Sequence, residues 1–450
     1  MPERLFGTDG VRGTAGAFPL DGRTIRRVGA ALVRGLPGGA QAPRILVGRD
    51  TRESGPWIER ELAHGAASAG ASLTSAGVIS TPAVAFLTRT EGFDIGIVIS
   101  ASHNPYQDNG IKVFSGAGEK FTEALEAKVE AIVADETWEV PAGETAAPNA
   151  GDLSARYLAH VGLALPDRER LGRLRVGVDC ANGATALLAP RFLRDLGFEV
   201  TAIGCEPDGR NINRGCGSTH PQGLARLVTD ARLQVGIAFD GDGDRAIFID
   251  ERGQIVDGDA VMLICAKHLK SVGRLRGGTV AATVMSNIGL EIALRDAGIG
   301  LLRCPVGDKY VMEEMLKRDL AIGGEQSGHV IFSDFLFTGD GLITAMNVLQ
   351  VMAATGRTLA DLASELQTFP QVLLNVRVAR REDLQAVPEI ASAIRRVEGL
   401  LADEGRLLVR YSGTEPVLRI MLEGRDQDDI RTWAEEIAKT VRTCLGAPQS

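Results

Sequence analysis

The 450-residue chain has 44% hydrophobic and 24% charged residues, ordinary for a globular protein, and it is too long for one core, so about three or four domains are expected. Its formal charge of −9, with no basic block, argues against a nucleic-acid or anionic-membrane partner. The opening residues lack a secretion-signal layout, no apolar run reaches the ~18 residues of a membrane span, and six scattered cysteines form no C-x-x-C pair, so a cytoplasmic protein without a zinc ribbon or disulfide framework is expected.

Along the chain, one unit recurs: a β-branched apolar run, a Gly-rich polar turn, then a helical pattern. It begins at RILVGRDTRESG (Arg44 to Gly55), LRVGVDCANGA (Leu174 to Ala184) and GTVAATVMSNIG (Gly278 to Gly289). Each is followed by a strand that meets a polar loop and returns as another apolar run: Asp94 to Phe114, Val235 to Asp250 and Leu320 to Phe335. Strand-turn-helix units are common, but two coupled patterns repeated three times in order predict a triplicated α/β domain.

Within the first unit, Thr81-Pro82 before the apolar VAFLT reads as an N-cap with proline at the first helical position. The low-complexity stretch Ala142 to Asp152 reads as a solvated connection, placing a boundary near residue 155. From about Phe369 the pattern becomes β-α-β-β-α, ending in a helix with Trp433, Ile437, Val441 and Cys444 on one face. The expected architecture is α/β: three similar mixed-sheet domains over residues 1–154, 155–254 and 255–368, plus a smaller C-terminal α+β domain over 369–450, around a central cleft.

Asp240, Asp242 and Asp244 alternate with glycine in FDGDGDRAIFID, a spacing that in an extended loop points three carboxylates to one side. Three such groups with no counter-charge among them repel, and a divalent cation is the natural compensation. An EF-hand reading fails because Arg245 stands where that loop needs glycine and the flanks read as strands. An all-oxygen site with room for a phosphate oxygen suits Mg²⁺; a solvated acidic turn is the alternative.

Ser102, in ISASHNP, follows a strand that reads as buried. His103 is a poor base for it, because neighbours in an extended segment point apart. A local backbone cap would explain Ser102 alone. The repeat says more: Ser102, the Asp240 loop and the Gly324 loop hold equivalent strand-end positions in three successive units.

ASHNP, DGDGDR, GEQSGH and RYSGTEP, in that order from Ala101 to Pro416, resemble the four signature loops of the α-D-phosphohexomutase superfamily. FGTDGVRG (Phe6 to Gly13), NINRGCGSTHP (Asn211 to Pro221) and GEQSGH (Gly324 to His329) are similar to its bacterial amino-sugar branch, which interconverts glucosamine 6-phosphate and glucosamine 1-phosphate on the route to UDP-N-acetylglucosamine. The resemblance implies that Ser102 carries a phosphoryl group and that one Mg²⁺ is held by Asp240, Asp242, Asp244 and a phosphoserine oxygen. It implies that Arg245 stabilises the transferring group, and that Lys112 and His329, assisted by Arg12, move the proton of the sugar hydroxyl. Glu325 and Ser327 are implied as sugar contacts, and Arg410, Ser412, Gly413, Thr414 and Arg419 as a clamp for the non-reacting phosphate.

A hexose or hexosamine 1,6-bisphosphate is the implied intermediate and primer, turning end for end while a mobile fourth domain opens without releasing it. Lys309 in VGDKYV departs from the arginine usual in the family, leaving a positive point charge for substrate binding. The implied partner is a small phosphosugar, with a homodimer as a further expectation. A phosphomannomutase or phosphoglucomutase of the same architecture, a phosphosugar phosphatase and a non-catalytic phosphosugar-binding protein remain as alternatives.

Overall fold

The computed structural model describes residues 5–446 except 8, 37–41, 144, 149 and 413–415. After β1 (Val11–Thr14), the first repeat runs β2 (Arg44–Arg49), β3 (Ser72–Val78), β4 (Ile95–Ile99) and β5 (Asp108–Ser115). The second runs β6 (Arg175–Asp179), β7 (Glu199–Ile203), β8 (Val235–Phe239) and β9 (Ala246–Asp250), with β10 (Ile255–Val256) as a short addition. The third runs β11 (Thr279–Thr283), β12 (Gly300–Cys304), β13 (Ile322–Gly324) and β14 (Val330–Phe332).

The sheets read β1-β5-β4-β2-β3, β10-β9-β8-β6-β7 and β12-β11-β13-β14. In every repeat the first strand pairs in parallel with the second and the third, and the fourth returns antiparallel to the third. Parallel neighbours need helical crossovers, which is why each repeat alternates strand and helix until the final hairpin. The sequences IGIVI of β4 and VGIAF of β8 are buried at every position, as strands covered on both faces must be. The expected triplication is thus present, with each candidate loop joining the third strand to the fourth.

The chain forms two compact units, Met1–Met285 with Ile299–Glu365, and Ser286–Gly298 with Leu366–Ser450. The division differs from a simple cut at residue 368, because the helix Ile288–Asp296 of the third repeat packs with the tail. Asn287 exchanges hydrogen bonds with the Phe369 backbone, and the Ile288 N–H donates to Glu423 Oε2 at 3.0 Å. In the second unit, β15 (Gln371–Arg377), β16 (Arg406–Tyr411) and β17 (Val417–Glu423) form an antiparallel sheet ordered β15-β17-β16. Leu418, Ile420 and Leu422 of β17 pack against helices Pro388–Leu401 and Gln427–Leu445, giving the expected β-α-β-β-α order.

The low-complexity connection is less detached than its composition suggests. Ser75 of β3 donates to the Pro148 carbonyl and accepts from the Ala150 N–H, so part of the stretch is tied to the first sheet. Among the described residues, no helix is long and apolar enough to cross a membrane.

Candidate active site

Ser102 sits in the turn between β4 and β5 with φ +51°, a left-handed conformation that costs free energy for a residue with a Cβ. The surroundings over-determine it. Its carbonyl accepts from Asn213 Nδ2 at 2.8 Å and from Arg52 Nη2, its N–H donates to Ser100 Oγ, and the fully buried Arg52–Asp50 pair anchors both sides of the turn. The segment is not extended, so the premise that set His103 aside fails: its Nδ1 lies 3.4 Å from Ser102 Oγ. His103 is nevertheless a weak base, because burial, then Arg245 and Arg12, lower its pKa to about 4.

Ser102 Oγ instead donates to Asp240 Oδ2 at 2.5 Å. The Asp240 loop is also a turn and not extended, with Gly243 at φ +74°, yet the three carboxylates still converge, offering ligand atoms within 4.8 Å of one another. Burial, then Asp244 and Asp242, push Asp240 well above the ordinary carboxyl range. Burial also pushes Asp244 up, but Lys112 and His329 outweigh it and hold that group well below the ordinary range. Like charges this close divide between a proton-holding and an ionised member. Asp242 Oδ1 and Asp244 Oδ1 are buried without hydrogen-bond partners, so the cluster offers bare hard oxygen donors and fits Mg²⁺.

The expected lack of counter-charge is corrected by Lys112. From β5 its Nζ reaches Asp242 Oδ2 at 2.9 Å, Asp244 Oδ2 at 3.1 Å and Asp9 Oδ2 at 3.1 Å. Burial opposes its charge, but those carboxylates hold its pKa well above the ordinary lysine value. In this structure Lys112 is therefore a counter-ion of the carboxylate cluster. His329 lies between Asp244 Oδ1, 3.7 Å from Nδ1, and Asp308 Oδ2, 3.4 Å from Nε2. Burial lowers its proton affinity, while Asp244 and Asp308 raise it more. The Gly339 N–H donates to Nε2 at 3.0 Å, which fixes the lone pair of that nitrogen on the backbone.

Arg12 on β1 pairs with Asp9, and Asp9 in turn meets Lys112 and Lys120. Arg245 closes the carboxylate loop: its N–H donates to Asp240 Oδ1, and its Nε lies 3.8 Å from Asp244 Oδ1. Ser327 Oγ donates to Glu325 Oε2 at 3.2 Å, so these two sugar-contact candidates meet on the partly open β13–β14 loop. Gln326 between them turns away to Asp257 Oδ2, the cap of helix Gly258–Ser271.

Lys309 corrects a second expectation. It is buried, and its Nζ donates to Glu126 Oε2 at 2.8 Å, because the start of helix Asp308–Arg318 abuts helix Glu123–Ala134 of the first repeat. Lys120 and Asp308 pair beside it. The charge at 309 serves the junction between repeats in this structure, not a substrate surface.

In the second unit, Arg410 stands directly opposite Arg419, which in turn faces Asn375. All three share the sheet face away from the helices, since Leu418 and Ile420 occupy the other. Like charges opposite one another are unfavourable unless an anion joins them. Ser412 is buried, and its carbonyl accepts from Arg381. Gly413 and Thr414 lie outside the described residues.

Asp9, Thr81, Lys120, Asn213, Asp308 and Gly339 all touch this constellation and were not singled out from sequence as site residues. Asp9 and Asp308 stand inside quoted stretches, GTDGVRG and VGDKYV; their acidic type three residues before Arg12 and one before Lys309 was the available signal.

Comparison with known proteins places this arrangement. The four models of the phosphoglucomutase/phosphomannomutase family match in order: alpha/beta/alpha domain I over residues 3–140, domain II over 155–253, domain III over 257–369 and the C-terminal domain over 373–440. The chain belongs to that family. Among its relatives, the phosphoglucosamine mutase of Solibacter usitatus is 46% identical, covering 99% of this chain and 100% of the relative. That of Geobacter metallireducens is 45% identical over 99% of each. A family protein from Burkholderia thailandensis shares the fold with a TM-score of 0.80 at 24% identity, over 98% of both chains. The Aspergillus fumigatus N-acetylphosphoglucosamine mutase, in complex with GlcNAc-6P and magnesium, superposes with a TM-score of 0.66 at 17% identity, covering 98% of this chain and 95% of that one.

Proposed function

We propose that the protein interconverts glucosamine 6-phosphate and glucosamine 1-phosphate through a phosphorylated Ser102 and a 1,6-bisphosphate. The observation that carries the reading is the 2.5 Å contact of the buried Ser102 hydroxyl with a carboxylate of the Asp240, Asp242 and Asp244 cluster. Full-length relatives named phosphoglucosamine mutase support the choice of sugar.

In the first transfer, the free sugar hydroxyl forms a bond to the phosphorus on Ser102 while the Oγ–P bond breaks; the hydroxyl proton passes to His329 Nε2, taking the place of the Gly339 N–H on that lone pair, and the leaving Ser102 oxygen takes the proton that Asp240 holds. In the second, with the bisphosphate reversed, Ser102 Oγ bonds to the other phosphorus and that sugar oxygen leaves with a proton returned by His329. In the second transfer the Ser102 proton returns to Asp240, which gave one up in the first and whose Oδ2 the hydroxyl already faces. Arg245 supplies a planar fork for the equatorial oxygens. Asp240, Asp242 and Asp244, with a phosphoserine oxygen, would hold Mg²⁺, which when bound would neutralise charge on the transferring group.

Lys112 and Arg12 with Asp9 hold the charges of the cluster in place, Glu325 and Ser327 bind ring hydroxyls, and Arg410 and Arg419, with Ser412, Gly413 and Thr414, bind the non-reacting phosphate.

The test is a substrate panel. Purified protein with Mg²⁺ and a trace of glucose 1,6-bisphosphate is timed on glucosamine, glucose and mannose 6-phosphates beside Ser102→Ala. The expected result is a clear kcat/KM preference for the amino sugar, and a loss of more than about a thousandfold in kcat with binding retained in Ser102→Ala. Faster turnover of glucose or mannose phosphate would overturn the sugar assignment, and an active Ser102→Ala would overturn the carrier.

A further inference from the structure

Thr81 opens helix Thr81–Thr90 and is fully buried, but it does not act as the expected cap: the N-cap is Ser80, and the Thr81 hydroxyl reaches out of its own repeat. It donates to Asp242 Oδ2 at 2.5 Å, and the Thr81 N–H donates to the Asp242 carbonyl at 2.9 Å. Lys112 Nζ binds the same Oδ2 at 2.9 Å. One carboxylate oxygen therefore carries a hydroxyl and an ammonium, while Oδ1, buried and unpartnered, is the one left for a further ligand.

We infer that Thr81 is a positioning residue for the metal: by holding Oδ2 it turns Asp242 Oδ1 toward Asp240 and Asp244, tying the second repeat's loop to the first repeat's helix. The inference rests on the metal reading above. A lysine ammonium on a long flexible stem bridges Asp242 and Asp244 without fixing the plane of either. A threonine hydroxyl on a stiff β-branched side chain, with its own N–H bonded to the same residue, does fix it. The next position leaves no slack, since a Cβ on Gly243 would stand 3.1 Å from Ser80 Cβ and 2.5 Å from Thr185 Cγ2. Partners that orient a ligand in this way typically govern metal affinity by about 10- to 100-fold.

The experiment titrates the full chain with Mn²⁺, counting free ion by electron paramagnetic resonance, with thermal unfolding in chelator as a check that each variant is folded. Thr81→Val, nearly isosteric but without the hydroxyl, is expected to weaken binding by about 10- to 100-fold, whereas Thr81→Ser stays close to wild type. If Thr81→Val does not fold, Thr81→Ala is read in the same titration with the same expectation. Wild-type affinity in the hydroxyl-free variant, or Thr81→Ser as weak as Thr81→Val, overturns the inference while leaving the metal site intact. A wild-type protein that binds no Mn²⁺ overturns the metal reading and this inference with it.

Discussion

Asp340 shows how a single buried group shapes this centre. It caps helix Gly341–Thr355 by accepting from the Ile343 N–H, takes the Tyr157 hydroxyl on both oxygens, and follows directly on Gly339, whose N–H holds His329. Burial raises its pKa to about 7, against the lowering by those donors. A carboxyl that binds its proton more tightly when folded contributes stability fully below its unfolded value near 3.8, and that contribution is lost as pH rises toward 7. Wild type should therefore lose stability relative to Asp340→Asn as pH rises from 5 to 7, with a limiting slope of about 1.4 kcal/mol per pH unit. Thermal unfolding of both proteins across that range checks it, and parallel curves would refute the shift. At this scale the sequence singled out Ser102 and the three aspartates, which the fold brings together, but not their neighbours. Lys112 was visible as a cation, yet its three carboxylate partners come from residues 9, 242 and 244, and only the folded sheets bring those together.

Among elements, the repeated strand order was legible because strand and helix periodicities alternate in the same sequence three times, and the loops at the third strand ends followed from it. What sequence could not show was which residue of an element points at the next. Thr81 reads as a cap until the second repeat's loop is seen against it, and Lys309 reads as a phosphate ligand until Glu126 is found 2.8 Å away. Breaking a buried pair leaves an uncompensated charge, so Lys309→Met should destabilise the protein by about 3 kcal/mol, with KM for the phosphosugar little changed; a raised KM at unchanged stability would return Lys309 to the substrate. On β17 the expectation is reversed. Arg419 faces Arg410 across the ladder, an arrangement that an anion relieves. Arg419→Ala should raise KM and lower kcat in both directions, costing about 10- to 100-fold in kcat/KM, the worth of a charged hydrogen bond. Unchanged kinetics would remove the strand pair from the site.

For the whole molecule, the issue is whether the phosphoryl group goes to a sugar or to water. Ser102 is 1% exposed, Asp240 and Asp242 are fully buried, and Lys112 and His329 are each 2% exposed, so the serine proposed as carrier lies where bulk water is excluded. Exclusion of water is what separates a mutase from a phosphatase built of the same groups. It can be followed with ³²P placed on Ser102 and one turnover of glucosamine 6-phosphate. The label moves to C1 in the first transfer, and after the bisphosphate reverses, the serine is recharged from C6. The labelled phosphate should therefore leave in glucosamine 1-phosphate, stoichiometric with enzyme, with little label as free bisphosphate and almost none as inorganic phosphate. Label released as inorganic phosphate would make the protein a hydrolase despite its loops. Label accumulating as free bisphosphate would mean that the intermediate reorients by leaving and rebinding, so that turnover would depend on the bisphosphate concentration in solution.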